Sequence, residues 1–282
     1  MNIRTLLFLA SAFFLCLYGA PMVLDELDTS ELVFGGTRAQ LGQFPMQVFI
    51  SFMNTAAKQP DLCGGTLLST THVLTAAHCA VFMGAPHKVM VGSTNRNDTS
   101  SKAQWRNIAR IRPHPGYKRG KIAVYNDVAV LELDKPVKLS SAVKIVKIVR
   151  NDAQLLKQKT ATVVGFGIHG YQGKKYSLHE HLLYTQVGLI AFEYCNGMWG
   201  NTLKEKEMVC AGSKGRGAGF GDSGGPLLAS HNGQFYQIGV TSFLPGDKDM
   251  QLDQATYPAV FMRVSFFCSF IESATGKAVR CT

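Results

Sequence analysis

The sequence predicts an all-β protein of the barrel or sandwich kind, and three observations lead there. Short runs rich in Val, Ile, Thr and Phe (MQVFISF, KVMVGS, VAVLEL, ATVVGF and QIGVTSF) follow one another beyond residue 33, separated by Gly, Pro, Asn and Asp. This is the pattern of strands joined by turns. Alternating strand and helix blocks are missing, no repeat of 20–50 residues is visible, and the one convincing helical stretch is late, around Val264 to Ala274. With 282 residues, 46% hydrophobic and 17% charged, the chain buries a full core and is not disordered. The length fits one large all-β domain or two smaller ones.

The elements read in order from the N-terminus. Arg4, the apolar run from Leu6 to Leu17 and the small residues Gly19 and Ala20 form a secretory signal peptide over residues 1–20. The run is shorter than the roughly 20 residues a membrane-spanning helix needs, so no membrane insertion is expected. An acidic stretch, 21–32, carries Asp25, Glu26, Asp28 and Glu31. The whole chain has 29 Lys+Arg against 19 Asp+Glu; with one basic and four acidic residues in 1–32, the body keeps 28 against 15, a net +13. An acidic leader on a basic body suggests a removable pro-segment. A basic exported body suits sulfated glycans or other polyanions. No nucleic-acid module accompanies the charge, and Lys144, Lys147 and Arg150 in VKIVKIVR read as one solvated face.

Cys16 leaves with the signal peptide, and Cys63, Cys79, Cys195, Cys210, Cys268 and Cys281 remain. An even count in an exported chain suggests disulfides, although six cysteines allow fifteen pairings. Pairing sequence neighbours is the simplest set: 63–79, 195–210 and 268–281, each closing a loop of about 15 residues worth roughly 3 kcal/mol. No zinc-type ligand spacing occurs, and His179-Glu180-His181 reads as a polar surface turn.

Chemistry concentrates in GAGFGDSGGPLL, where Gly221-Asp222-Ser223-Gly224-Gly225 has the G-x-S-x-G form of a serine nucleophile on a sharp turn. Such a serine needs a base and a carboxylate to orient it. Only His231 follows it, in a hairpin tip too local to fold back, which argues against an α/β-hydrolase esterase. Upstream, His78 sits in LTAAHC where a strand gives way to a helical turn. Asp127 stands at the mouth of the apolar strand of YNDVAVLEL, where a carboxylate is costly unless paired.

The order His78, Asp127, Ser223 resembles the chymotrypsin-like serine proteases. CGGTLLSTTHVLTAAHC, NDVAVLEL and GDSGGPL resemble that family's histidine, aspartate and serine segments. TSF and YPAVFMRV look like its pocket segments, and VFGG…GQFPMQV like its mature N-terminus, in order from residue 33 to about 271. The resemblance implies two six-stranded antiparallel barrels, about 48–140 and 158–264, with the site between them. A protease domain over 33–282 then ends in a helix and disulfide-tied tail, 264–282. It implies Ser223 as nucleophile, His78 as general base then acid, Asp127 as its orienting partner, and Ser242 in support of Asp127. Backbone N–H groups of Gly221 and Ser223 would form the oxyanion hole.

Two departures follow. The family's cysteine shortly before the serine is missing along with its partner, as in granule chymases and granzymes. At the activation site Glu31-Leu32 precedes Val33, so cleavage is expected after Leu32, with the Val33 amine pairing with Asp222. The resemblance puts the pocket floor at Gly217, with no charge, and Arg216 pointing outward. Ala218, Phe220, Ser242, Phe243, Leu244 and Ala259 form the rest of the pocket. Leu244 and Ala259 replace usual glycines, which implies a shallow, elastase-like pocket for aliphatic residues. The alternatives are a chymase-like preference for aromatic residues, or an inactive homologue with a binding role. No cofactor is implied, and no calcium, because VGSTNRNDTSSKAQW offers only Asp98 as a carboxylate. Expected partners are protein or peptide substrates and protein protease inhibitors, around a monomer. Asn97-Asp98-Thr99 is a glycosylation sequon.

Overall fold

A computed structural model describes residues 35–172 and 175–282. The signal peptide, the acidic stretch and Val33 lie outside the described residues. The first half holds β1 (Thr37–Arg38), β2 (Gln47–Asn54), β3 (Gln59–Leu67), β4 (His72–Thr75), α1 (Ala77–Ala80), β5 (Met83–Val91) and β6 (Gln104–Pro113). The short pair β7 (Lys118–Arg119) and β8 (Val124–Tyr125) and then β9 (Ala129–Leu133) complete it. After α2 (Ala153–Leu156) come β10 (Thr160–Gly165), the hairpin β11 (Ile168–Gln172) and β12 (Lys175–Leu178), β13 (Leu183–Ile190), α3 (Phe192–Met198) and β14 (Met208–Gly212). Next are β15 (Pro226–His231), β16 (Gln234–Phe243), α4 (Lys248–Leu252) and β17 (Ala259–Arg263). A 3₁₀ turn, Val264–Phe267, and α5 (Cys268–Ala274) end the chain.

The strands make two closed antiparallel barrels of six. The first runs β2-β3-β4-β9-β6-β5, closed by β5 on β2. The second runs β13-β10-β15-β16-β17-β14, closed by β14 on β13, with β1 added at Thr37↔Tyr184. Buried apolar side chains pack each barrel, Val48, Ile50, Val89, Val130 and Leu131 in one, Val163, Leu227, Ile238 and Phe261 in the other. The fold class is therefore all-β with two six-stranded barrels and a short C-terminal helix.

β2 is buried on both faces because its second face meets the other barrel. Phe49 packs edge-on against Phe166, ring centroids 5.3 Å apart. Thr66 donates to Gln237 Oε1 at 2.6 Å across the same seam, satisfying both buried polar groups. The segment between β9 and α2 straps both barrels, with Val146 N–H donating to Leu67 O and Gln237 N–H to Lys147 O. Its outer face carries Lys144, Lys147 and Arg150, all exposed; Arg150 pairs with Glu272 at 2.6 Å.

Three short helices were not legible in the sequence. α3 has Cys and Gly in its middle and no side-chain cap, so it rests on tertiary anchoring: Cys195 is bonded to Cys210. α4 is capped by Asp247, whose side chain accepts from Asp249 N and Met250 N. α2 has neither device. Cys63 joins Cys79 and Cys268 joins Cys281, completing three bridges among the described residues. Among those residues no helix is long and apolar enough to cross a membrane.

Candidate active site

The seam between the barrels collects side chains from strand ends. β4 stops at Thr75, Ala76 stays extended, and α1 begins, which turns His78 toward the second barrel. The disulfide from Cys79 to Cys63 ties this turn to β3. Asp127 follows Asn126, held at φ +52° with its amide donating to Gly116 O at 2.9 Å. That kink aims the carboxylate inward just before β9 enters the core.

Asp127 is 0% exposed and accepts from three donors: His78 N–H at 2.7 Å, His78 Nδ1–H at 2.7 Å, and Ser242 Oγ–H at 2.5 Å. A carboxylate only accepts, so the imidazole proton sits on Nδ1 and Nε2 is left as a lone-pair base. Burial is the largest influence on His78 and lowers its pKa. The adjacent Asp127, by charge and hydrogen bond, more than offsets this, so the net shift is upward from 6.5; Arg119 lowers it and Asp61 raises it. The imidazole keeps one edge open, 26% exposed.

Ser223 lies on a turn that only glycine can make. Gly221 has φ +95° and Gly224 φ +79°. A Cβ on Gly224 would fall 2.1 Å from Thr75 Oγ1, and one on Gly221 2.7 Å from Leu62 Cδ1. The turn is pinned to the first barrel by Gly64 N–H donating to Ser223 O at 2.8 Å. Behind it, Asp222 is fully buried and accepts from Gly167 N–H and Gly219 N–H, both at 2.8 Å. Gly165 and Gly167 leave room for this carboxylate, since a Cβ on either would overlap it. Burial outweighs those two hydrogen bonds and pushes the Asp222 pKa up to about 7.

His78 and Ser223 share one cavity of about 590 Å³. Phe220, Gly221, Ser242, Phe243 and Leu244 line one side, and Leu62, Tyr117, Arg119 and Val124 another. A neighbouring cavity of about 620 Å³ continues past Phe220 and Gly221 along Asp61, Arg96, Asn97 and Trp105. Gly217, Ala218 and Ala259 stand behind the first cavity, buried, and do not line it. Arg216 is exposed, and His231 lies on a surface hairpin beside Asn232-Gly233. Asp61 on β3, Tyr117 in the loop before β7 and Arg119 on β7 escaped the sequence reading, because only the fold brings them to His78. Among the described residues, the one tight His/Cys/acid group is Cys63, His78 and Cys79, whose sulfurs are bonded to each other and are not thiolate ligands.

Two barrels with histidine, aspartate and serine converging at their seam define a serine-type endopeptidase. The comparisons with known proteins make that specific: the profile described as "Trypsin" matches residues 33–271, and the chain belongs to the trypsin family, peptidase S1. It is 31% identical to chymotrypsin-like elastase family member 1 of Canis lupus familiaris, over 93% of this chain and 99% of that one. The Rattus norvegicus and Macaca fascicularis proteins of the same description are 31% and 32% identical, covering 92% and 93% of this chain and 95% and 96% of theirs.

Proposed function

We propose that the chain is a secreted zymogen that matures at Val33 and cleaves peptide bonds after aliphatic residues through His78, Asp127 and Ser223. The supporting observation is Asp127, a wholly buried carboxylate that fixes the tautomer of a histidine sharing a cavity with Ser223. In this mechanism His78 Nε2 takes the Ser223 hydroxyl proton as Oγ bonds to the substrate carbonyl carbon. The carbonyl oxygen becomes an oxyanion facing the N–H groups of Gly221 and Ser223; losing one such donor typically costs about 2.7–4 kcal/mol. His78 then protonates the leaving amine, the C–N bond breaks, and an acyl-serine remains. Water, deprotonated by the same Nε2, releases the acid and restores Ser223. Asp127 stays ionised throughout and offsets the imidazolium charge.

Maturation after Leu32 would place the Val33 ammonium beside Asp222, directly behind the oxyanion donors. Preference for aliphatic residues rests on a cavity whose one side is walled by Phe243 and Leu244, with the uncharged Gly217 buried behind it. Export through residues 1–20, a monomeric state, polyanion binding by the basic body and glycosylation of the exposed Asn97 belong to the same reading. Labelling of the mature protein by a peptidyl organophosphonate tests it. Wild type should be labelled and should cleave Ala- or Val-containing peptides. A folded, processed protein that is neither labelled nor active would refute the proposal in favour of a binding homologue.

A further inference from the structure

We infer that Gln254, a residue of the loop between β16 and β17, forms the floor of the pocket beside Ser223 and sets how deep a substrate side chain can go. The inference rests on the pocket assignment proposed above and deepens it. Gln254 is 0% exposed. A Cβ built on Gly217 would lie 1.9 Å from Gln254 Oε1 and 2.3 Å from its Cδ, so the carboxamide fills the volume that a side chain at 217 would occupy. A second glycine makes room for the same residue: a Cβ on Gly212 would meet Gln254 O at 2.3 Å and its Cβ at 2.5 Å. The loop is docked here by Gly215 N–H donating to Leu252 O at 2.7 Å and by the Lys214↔Asp253 bridge.

The amide's orientation is set by its partners. Nε2 donates to Ala218 O at 2.7 Å and to Gln251 O at 3.2 Å, and a flipped amide would face Oε1 with two carbonyls. Oε1 therefore stays toward Gly217, with no donor among the described residues. A buried acceptor without a donor is unfavourable ground for an apolar tip pressed against it. The open cavity reaches Ser242, Phe243 and Leu244 and stops short of Gly217, Ala218, Ala259 and Gln254 alike, so the amide fills the depth behind that end. Short side chains such as Ala and Val end above the amide, and Phe would have to displace it.

The test uses mature full-length protein, active-site titrated with a phosphonate, and matched chromogenic peptides bearing Ala, Val, Leu or Phe before the scissile bond. Gln254→Ala should raise the Phe-to-Ala ratio of kcat/KM by about tenfold or more, the lower end of what one pocket contact discriminates. Gln254→Met, which keeps the volume, should leave the ratio near wild type. A ratio unchanged in Gln254→Ala, or raised equally in Gln254→Met, overturns the inference. Should Gln254→Ala fail to fold, the exchange of volumes decides. Gly217→Ser alone should lose stability, and Gly217→Ser with Gln254→Ala should regain it. A Gly217→Ser protein as stable and as selective as wild type would show that the amide does not occupy that space. Wild type that titrates to zero instead counts against the protease reading itself, whatever Gln254 does.

Discussion

Replacing Asp222 by Asn in the unprocessed chain should flatten the pH dependence of its stability. Burial raises Asp222 from 3.8 to about 7 in spite of hydrogen bonds from Gly219 and Gly167. The folded chain thus holds this proton more tightly than the unfolded chain. Stability tied to the group is complete below pH 3.8, falls as pH rises, and is gone above about pH 7. At about 1.4 kcal/mol per pH decade, the interval corresponds to roughly 4 kcal/mol. Asn cannot ionise and keeps a carbonyl acceptor for one of the two amides, Gly167 or Gly219, which bond separate oxygens of Asp222. Losing the other bond is a pH-independent offset. The assay is urea unfolding between pH 3.5 and 8, on precursors that also carry Ser223→Ala to stop self-cleavage. The two stability curves should diverge by about 4 kcal/mol across that range, with Asn increasingly favoured as pH rises. In protein beginning at Val33 the nearby ammonium should reverse the sign, so that Asp222→Asn becomes destabilising at neutral pH. Parallel curves for the Asp and Asn precursors would refute the argument.

The remaining expectations concern the site and its support. Ser223→Ala and His78→Ala should each abolish peptide hydrolysis with the fold intact by circular dichroism, whereas His231→Ala should leave kcat/KM unchanged. The acid limb of kcat/KM should have its midpoint above the ordinary imidazole value, because His78 must be neutral and Asp127 favours its charged form. A pH-rate series should find that midpoint moved up in Arg119→Gln and down in Asp61→Asn, since the two charges act on His78 in opposite senses. Asp152→Ala should cost about 3 kcal/mol in urea unfolding, because it strands Arg263, which holds the buried carboxylate through Nε and Nη2 at 3.0 and 2.6 Å. Removing the Cys268–Cys281 bridge by a double Ser substitution should cost about 3 kcal/mol in the same assay.

Residues whose chemistry demands a local backbone form were the ones the sequence exposed. Ser223 needs flanking glycines at positive φ, Asp127 needs a turn before an apolar strand, and His78 follows a strand end beside a cysteine; each leaves a pattern within a few residues. The barrel strands were legible for a related reason, since a filled interior calls for runs of branched residues. What escaped detection acts across distance. Arg119, on the two-residue strand β7, and Asp61, near the start of β3, look like any other polar residues until the fold brings them to His78. Gln254 is more instructive: the resemblance put an uncharged floor at Gly217 and laid the pocket's shallowness to Leu244 and Ala259. That glycine is small because a residue far along the chain stands in its place.

β1 has a kinetic consequence. Thr37 and Arg38 are already paired with Tyr184 and Leu183 on the second barrel, so an amine freed at Val33 would hang from an anchor only four residues away. Fully extended, such a tether reaches about 13 Å. One amine confined to a sphere of that radius has a local concentration on the order of 0.1 M, well above the millimolar range of typical flexible linkers. Gly35 is held as well, its carbonyl accepting from Thr185 Oγ1 at 3.3 Å, which keeps the tether short. A single cut would therefore act as a fast, concentration-independent trigger whose new terminus finds Asp222 before it can meet another molecule.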